Sequence, residues 1–291
     1  MDYNLFIFQL KHLRGIGNKG LLRILHYYQE HPLEETTLDI FIKIGKIRTP
    51  YSELFTESFN KAMSITYDEM TYFLEYYSFV TILDDAYPEE LIEIYNPPIA
   101  LFYLGDVSLL GKKNNLAVIG SREATSFGKQ IVDQLIPPLC EKGIIITSGL
   151  AKGNDTFAHQ ATIRNHGRTI AVIGSGLNVC YPKKNENLQK FIANEHLLIS
   201  EYLPGTKPLK HHFPSRNRII AGITRGTCVI ESKARSGTFI TAQLALNEGR
   251  DVFSVPGNPL SETSEGCLQL IQSGAKCIWK AADILEEWFL D

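Results

Sequence analysis

One stretch of the sequence combines a glycine turn with a cationic side chain, a pairing suited to binding phosphate groups. The short apolar run Leu116–Ile119 predicts a buried strand, and it ends abruptly in Gly120, Ser121 and Arg122. Backbone N–H groups at such a turn attract anions, and the guanidinium adds a planar fork of donors for phosphate oxygens. We therefore expect an anion-binding loop after this strand.

A second stretch places an aromatic ring beside two arginines. Phe213 precedes Arg216 and Arg218, which open an apolar helical pattern. A stacking ring next to phosphate-binding charge is the combination that proteins use for single-stranded nucleic acid. The same arginines could instead form ion pairs with acids such as Glu201 or Glu231, and the sequence leaves both interpretations open.

Further turns rich in Gly, Ser and Lys follow other apolar runs of the chain. Each one alone fits an ordinary tight connection between a strand and a helix. Ligands of doubly wound sheets gather at the carboxyl ends of the strands, so several such turns at one edge predict a groove for a polyanion. Their candidate site residues are Gly149, Lys152, Lys183, Ser236, Gly237 and Thr238.

Elements that would position these loops alternate regularly beyond Gly111. The predicted strands are 116–119, 144–147, 169–173, 197–200, 227–231 and 251–255, with a possible edge strand at 277–279. The predicted helices between them include 128–140, 156–165, 216–223 and 240–247. Continuous Val/Ile runs alternating with helices indicate an α/β fold with a mainly parallel, doubly wound, Rossmann-like sheet covered on both faces.

The chain before this region reads differently. Apolar residues recur at helical spacing over residues 3–75, which predicts a small all-α domain. Its turn Gly15-Ile16-Gly17 is compatible with a helix-hairpin-helix that presents N–H groups to phosphate, or with an ordinary turn between packed helices. The predicted domains are 1–78, helical, and 79–291, Rossmann-like.

Familiar nucleotide and catalytic motifs are not matched. Seven residues separate Gly120 from Gly128, against four in a Walker A loop, and Val179 occupies the third glycine position of a dinucleotide fingerprint. The pair His211-His212 lacks a recognisable third metal ligand. His159, four residues after Asp155, could act as a base but fits a structural histidine better. We expect no cofactor and no metal.

Composition restricts the remaining classes. The 291 residues carry a net charge of −3, so any nucleic-acid site must be a local basic patch. Five cysteines without a CxxC pair predict free thiols in a reducing compartment. Since no apolar run is long enough to cross a bilayer and the first residues lack a basic signal region, the expected location is the cytoplasm, away from membranes.

Six motifs in one order resemble the DprA/Smf family (DNA-processing protein A). The resemblance spans nearly the whole chain, and a winged-helix domain that many members append is not expected here. One departure is Asn154, where a β-branched residue is expected in Gly-Ile-Asp. The motifs are Val118–Arg122, Ser148–Asp155, Tyr181–Lys183, Phe213–Ile220, Ser236–Thr238 and Gly249–Gly257.

The resemblance implies a single-stranded-DNA-binding recombination mediator of natural transformation, without catalytic turnover. Such a protein protects incoming ssDNA, loads the RecA recombinase, displaces single-strand-binding protein and forms a homodimer. By motif, Arg122 and Lys183 would bind phosphates, Lys152, Arg216 and Arg218 would support them, and Phe213 would meet a base. The implied DNA-binding set is completed by Gly120, Ser121, Gly149, Asn217, Ser236, Gly237 and Thr238.

The C-terminal segment adds a candidate dimer surface. Late helices carry Leu244, Leu268 and Ile271, which must cover either the sheet or a partner. We expect these residues at a two-fold interface.

An enzyme remains the alternative. Glu231 together with Ser236-Gly237-Thr238 faintly resembles nucleoside-monophosphate phosphoribohydrolases, which bind phosphate at a Gly/Thr turn of a related Rossmann-like fold and use an acid on the ribose. The turn lacks their full Gly-Gly-x-Gly-Thr form, so this interpretation rests on fewer residues.

Overall fold

The computed structural model of the protein describes residues 2–31 and 35–289. Contacts divide the chain into two compact units. The first extends to Tyr87 and includes Tyr95–Phe102, and the second combines Pro88–Ile94 with the chain from Tyr103 onward. The predicted outer limits of the two domains, residues 1 and 291, lie outside the described residues.

The first unit is mainly helical, as the sequence predicts. Asp2 caps the first helix by accepting the N–H groups of Asn4 and Leu5, and Thr66 and Glu69 form a capping box at the fifth. Its core contains several aromatic rings, and the ring centroids of Phe6 and Tyr28 lie 5.3 Å apart. The elements are α1 (Tyr3–His12), α2 (Asn18–Glu30), α3 (Leu38–Gly45), α4 (Thr49–Met63), α5 (Tyr67–Leu74) and β1 (Ser78–Thr81).

The turn between α1 and α2 packs against α4. Gly15 has a φ of +73°, and a Cβ there would lie 2.7 Å from the carbonyl oxygen of Tyr51. Both the left-handed backbone and the close approach require glycine. This packing accounts for the glycine without a phosphate, and it favours the interpretation as an ordinary turn between packed helices.

The rest of the chain alternates strand and helix. Its strands are β2 (Ala100–Gly105), β3 (Asn115–Ile119), β4 (Ile145–Ser148), β5 (Thr169–Ile173), β6 (Leu197–Ser200), β7 (Gly226–Val229), β8 (Asp251–Ser254) and β9 (Lys276–Cys277). Its helices are α6 (Glu89–Ile92), α7 (Ser126–Glu141), α8 (Asn154–Arg164), α9 (Glu186–Glu195), α10 (His212–Gly222), α11 (Gly237–Asn247), α12 (Glu262–Gln272) and α13 (Ala282–Phe289).

The strands β3 to β9 of the second unit form a parallel arrangement in the order β6-β5-β4-β3-β7-β8-β9. The chain first builds outward from β3 to β6, then returns to the other side of β3 and builds β7 to β9. This reversal confirms the predicted doubly wound, Rossmann-like sheet, and it places a topological switch point between β3 and β7.

Strand β3 shows why continuous apolar runs mark this sheet. All five residues of Asn115–Ile119 are buried, because helices cover both faces. Leu116 and Val118 share one core cluster with Val132 and Ile136 of α7. The central strand therefore delivers its following loop from a rigid position.

Helices begin earlier than their apolar pattern indicates. The structure starts α10 at His212 instead of the predicted residue 216, and α11 at Gly237 instead of 240. Pro214 occupies the first turn of α10, where the missing N–H has no intrahelical partner to lose. None of the helices in the described parts of the chain has the length and apolar character that a membrane span requires.

Candidate nucleic-acid interface

A groove opens at the carboxyl ends of the strands, beside the switch point. The loops after β3 and β7 form two of its walls, and the first turns of α10 and α11 complete it. A second, smaller cavity adjoins it under the loops after β4 and β5, and Arg122, Tyr181, Phe213 and Arg216 line both. The two stretches singled out in the sequence thus meet at one place.

The Gly120 loop is held tightly from below. A Cβ on Gly120 would lie 2.5 Å from Nδ2 of Asn154, so no larger residue fits. The Asn154 N–H donates to the Ser121 carbonyl at 3.2 Å, and the Thr238 hydroxyl donates to the Gly120 carbonyl at 3.0 Å. The loop that carries Arg122 is therefore fixed by α8 and α11.

Arg122 projects from this loop over the Phe213 ring, which in turn contacts Tyr181. Its guanidinium carbon lies 5.2 Å from the centroid of the Phe213 ring, within the distance of a cation–π contact. The Tyr181 ring centroid is 5.5 Å from that of Phe213, and Tyr181 is half exposed at 49%. Cation and rings form one surface that can meet a phosphate and a base together.

Arg216 lies deeper than the sequence predicts. Its side chain is 4% exposed and donates to the carbonyls of Gly149 and Val172, while Nε donates to Oδ1 of Asn217 at 3.0 Å. Burial lowers the pKa of Arg216 to about 10, and Asp155 offsets part of that shift. The guanidinium also lines the floor of both cavities, beneath the groove.

Arg218 forms an ion pair with a carboxylate. Its Nη2 donates to both carboxylate oxygens of Glu201, at 2.7 and 2.8 Å, and the two side chains are 12% and 7% exposed. Helical spacing places Arg218 two residues from Arg216, on a different side of α10. Of the two interpretations left open by the sequence, the ion pair with Glu201 is the one that the structure has for Arg218.

The predicted lysines are exposed. Lys152 lines the smaller cavity. Lys183 starts the 3₁₀ turn Lys183–Asn185, directly after Tyr181 and Pro182 of the cavity wall. The Asn185 amide joins this turn to the loop after β4 by donating to the Leu150 carbonyl at 2.9 Å. Of the two lysines, Lys152 therefore lines a cavity, whereas Lys183 is exposed beside the wall of one.

The predicted turn Ser236-Gly237-Thr238 forms the amino end of α11 and faces the groove. Ser236 caps the helix by accepting the Phe239 N–H at 3.2 Å. The Asn217 amide donates to the Gly237 carbonyl at 3.4 Å, which joins this turn to α10.

Sequence reasoning missed a cation in this wall. Lys233 lines the groove and forms ion pairs with Glu123 at 3.3 Å and Glu262 at 3.2 Å. It lies between Glu231 and Ser236, in a loop that the sequence had already marked. Its position after β7 was the signal that could have identified it.

Glu231 is an interior acid. It is 2% exposed and accepts hydrogen bonds from the Thr125 N–H at 3.1 Å, the Thr125 hydroxyl at 2.6 Å and the Asn154 amide at 2.9 Å. Asn154, which the sequence marks only as a departure from the family pattern, is thus a partner of this carboxylate. These three hydrogen bonds give the Glu231 carboxylate a structural role beneath the loop after β3.

Asp155 and His159 are structural too. Asp155 accepts the N–H groups of Gly149 and Ala151 at 3.2 and 3.3 Å, and burial raises its pKa while Arg216 lowers it. His159 is fully buried, and burial lowers its pKa to about 3. Within residues 2–31 and 35–289, no three His, Cys, Asp or Glu side chains lie close enough to hold a metal ion.

The candidate dimer residues lie on neighbouring helices. Leu244 is on α11, Leu268 and Ile271 are on α12, and all three are half-buried. Their neighbours Cys267 and Leu270 are buried in the core. The three residues leave part of their apolar surface open.

Comparisons with known proteins agree with this architecture. The sequence model of the DNA recombination-mediator protein A family matches residues 78–289. The DNA processing protein DprA of Streptococcus pneumoniae is 46% identical over 287 residues, which cover 98% of each chain. That of Bacillus subtilis is 47% identical over 208 residues, 72% of this chain and 70% of the relative.

Solved structures give the same result. An X-ray structure of DprA from Streptococcus pneumoniae superposes with a TM-score of 0.87 at 44% identity, covering 98% of this chain and 97% of that one. A DprA structure from Helicobacter pylori, described for its single-stranded DNA binding mode, has a TM-score of 0.67 at 27% identity over 74% of this chain and 97% of that one. The chain therefore belongs to the DprA/Smf family of DNA recombination-mediator proteins.

Proposed function

We propose that this protein binds single-stranded DNA in the groove beside the switch point and acts as a recombination mediator. The observation that carries the proposal is the Arg122 guanidinium over the Phe213 ring, 5.2 Å from its centroid, at the mouth of the groove. A phosphate and its base can be met there at once, and stacking on a ring tolerates any sequence. The relative from Helicobacter pylori, whose structure is described by its single-stranded DNA binding mode, supports the same ligand.

Each group of residues has its own role in this proposal. Arg122, Lys152 and Lys183 bind phosphates at the rim, and Gly120 and Ser121 shape the loop. Ser236, Gly237 and Thr238 offer the N–H groups of a helix start to a further phosphate. Gly149, Arg216 and Asn217 brace the floor, and Arg218 with Glu201 holds α10 against the end of β6.

Membership of the family supports a proposal about the later steps as well. We propose that the protein protects incoming ssDNA in the cytoplasm, displaces single-strand-binding protein and loads RecA during natural transformation. It does so as a homodimer built on Leu244, Leu268 and Ile271. Its functional domains are residues 1–78 and 79–291, with DNA binding and dimerisation in the second, and binding requires no turnover.

A salt-series titration tests the proposal. Fluorescence anisotropy would compare a labelled oligo-dT, a duplex of equal length and a mononucleotide. We expect tight binding of the oligo-dT that weakens steeply with salt, because each phosphate contact adds about 0.7 to the slope of log K against log [salt]. Equal affinity for the mononucleotide, or release of free base from AMP, would instead support the enzyme alternative.

RecA loading needs its own measurement. RecA filament formation on oligonucleotide already coated with single-strand-binding protein should speed up when this protein is added. The Arg122→Ala variant should lose that effect in proportion to its loss of ssDNA binding. If ssDNA binds but RecA loading does not respond, the groove assignment stands and the mediator role fails.

A further inference from the structure

A second row of cations lies at the opposite edge of the sheet, at the amino ends of the strands. Two adjoining cavities open there and share Lys112 and Lys113 as lining residues. One of them contains Gly249 and Arg250, the start of a motif that the groove leaves unexplained. We call Lys112, Lys113, Arg168, Arg225 and Arg250 the amino-edge row.

Backbone hydrogen bonds align this row. The Arg225 N–H donates to the Asn115 carbonyl at 2.9 Å, and the Asp251 N–H donates to the Arg225 carbonyl at 3.3 Å. On the other side, the Ile145 N–H donates to the Asn114 carbonyl at 2.8 Å. Each cation thus directly precedes, or lies just before, a strand of the parallel sheet.

The row is long enough for several phosphates. From β5, which Arg168 precedes, to β8, which Arg250 precedes, the order β5-β4-β3-β7-β8 gives four strand spacings. At about 4.8 Å each, they span about 19 Å. Successive phosphates of one DNA strand advance about 3.4 Å along a helix axis, so the row can meet several of them.

Three members of the row form no ion pair with a described residue. Lys112, Lys113 and Arg225 are exposed, and within the described chain none of them forms an ion pair. Arg225 instead lies over the Trp288 ring, 4.9 Å from its centroid, which fixes the direction of its side chain. These three cations are available to an external anion.

The other two members, Arg168 and Arg250, have partners within the protein. Arg168 forms an ion pair with Asp106 at 2.7 Å. Arg250 donates from Nη2 to the Glu90 carbonyl at 2.8 Å and lies 4.0 Å from the Glu93 carboxylate. Its Nε is buried without a hydrogen-bond partner among the described residues. Glu90 and Asp251 also line this cavity, so with Asp106 and Glu93 the five cations of the row face four acids.

We propose that the amino-edge row is a second polyanion site, which binds the phosphate backbone of a further segment of nucleic acid. An extended backbone fits a row better than a protein partner does, because protein interfaces centre on buried aromatic anchors. Neither cavity is lined by an aromatic residue of the described chain. Binding here uses phosphates alone, and it goes beyond the groove because it involves none of the groove's residues.

The double variant Lys112→Gln/Lys113→Gln tests this site. Both lysines are exposed and form no ion pair with a described residue, so the fold should persist, which circular dichroism would verify. The matched control is Lys129→Gln/Lys190→Gln, which removes the same charge from exposed positions on α7 and α9. Anisotropy with oligo-dT of about 40 nucleotides would be measured over a salt series, in the wild-type and Arg122→Ala backgrounds.

We expect the double variant to lower the salt slope by about 1.4, the sum of two phosphate contacts, in both backgrounds, while the control leaves it unchanged. If the double variant has the wild-type salt slope while Arg122→Ala weakens ssDNA binding, the amino-edge site is overturned and the groove assignment stands. That outcome would favour an acidic protein as the ligand of the row. If the double variant lowers the salt slope while Arg122→Ala leaves ssDNA affinity unchanged, the amino-edge site is supported and the groove assignment is overturned. If the double variant and the control lower the salt slope equally, the amino-edge site is overturned, because the change in net charge alone would then explain the effect.

Discussion

The Asn154 amide donates a hydrogen bond of 2.9 Å to Oε2 of Glu231, and this contact joins the first turn of α8 to the end of β7. The same carboxylate accepts two hydrogen bonds from Thr125, at the start of α7. Gly120 packs on the Asn154 side chain, so three elements are tied together directly beneath the Arg122 loop.

Asn154→Ala should destabilise the second unit. It removes one of three donors to a buried carboxylate, and such a loss lowers the free energy of unfolding by about 1–3 kcal/mol. Urea unfolding followed by tryptophan fluorescence measures it, because Trp279 and Trp288, the chain's two tryptophans, lie in this unit. The exposed Asn187→Ala is the control, and equal stability of both variants would contradict the role of the hydrogen bond.

Asn154 should also affect ssDNA binding, through Arg122. Arg122→Ala should weaken binding about tenfold or more, since a charge-assisted contact is lost. Asn154→Ala should weaken it less, and the two changes should not add, because they act on the same contact. Anisotropy on the double variant measures this coupling, with the exposed Arg164→Ala as the charge control. Fully additive losses would show that Asn154 acts elsewhere.

The fold could be predicted from the sequence because its strands are buried on both faces. Continuous runs such as Leu116–Ile119 and Thr169–Ile173 have few other interpretations, and both lie within a residue of the observed strands. Helix starts were less predictable, because side-chain caps and first-turn residues need no apolar pattern. Pro214 in the first turn of α10 is an example.

Burial was the property that the sequence could not supply. Arg122, Arg216 and Arg218 are the same residue type within two motifs, yet Arg122 is exposed, Arg216 donates to backbone carbonyls and Arg218 pairs with Glu201. Only the tertiary structure brings Glu201 beside α10. The sequence predicts no site at the amino-edge row for another reason, since ligands of doubly wound sheets gather at the carboxyl ends of the strands.

Arg218 should matter for stability and much less for binding. Arg218→Ala would leave the Glu201 carboxylate buried and unpaired, which costs about 3–5 kcal/mol. The paired replacement Arg218→Met/Glu201→Leu removes both charges and should recover much of the loss. Urea unfolding measures both variants, and folded protein should keep its ssDNA affinity. A loss of affinity as large as that of Arg122→Ala would instead show that Arg218 contacts the DNA directly.

Leu268 and Ile271 should control the oligomeric state. Both are half-buried on α12, so a glutamate there places charge on apolar surface that a partner would cover. Leu268→Glu and Ile271→Glu should each be monomeric by light scattering, whereas Leu209→Glu, on another exposed apolar residue, should behave as wild type. Two dimeric variants would rule out this interface.

His159 should make stability depend on pH. Its Nδ1 lies 2.7 Å from the Thr169 hydroxyl, which itself donates to the Ile146 carbonyl, so Nδ1 is the donor to this hydroxyl. Its Nε2 is buried without a hydrogen-bond partner among the described residues, which disfavours a second ring proton. Burial lowers its folded pKa to about 3, while an unfolded histidine has a pKa of about 6.5. Between these values the unfolded chain binds the extra proton, so stability falls as pH falls, by up to about 1.4 kcal/mol per pH unit from this residue.

His159→Gln removes that proton-linked difference. Urea unfolding between about pH 7 and pH 4.5 should give a flatter dependence for the variant than for wild type, even if the variant is less stable throughout. His26→Gln, at an exposed position, controls for the loss of an imidazole. Parallel curves for His159→Gln and wild type would mean that His159 is protonated equally in both states, contrary to its burial.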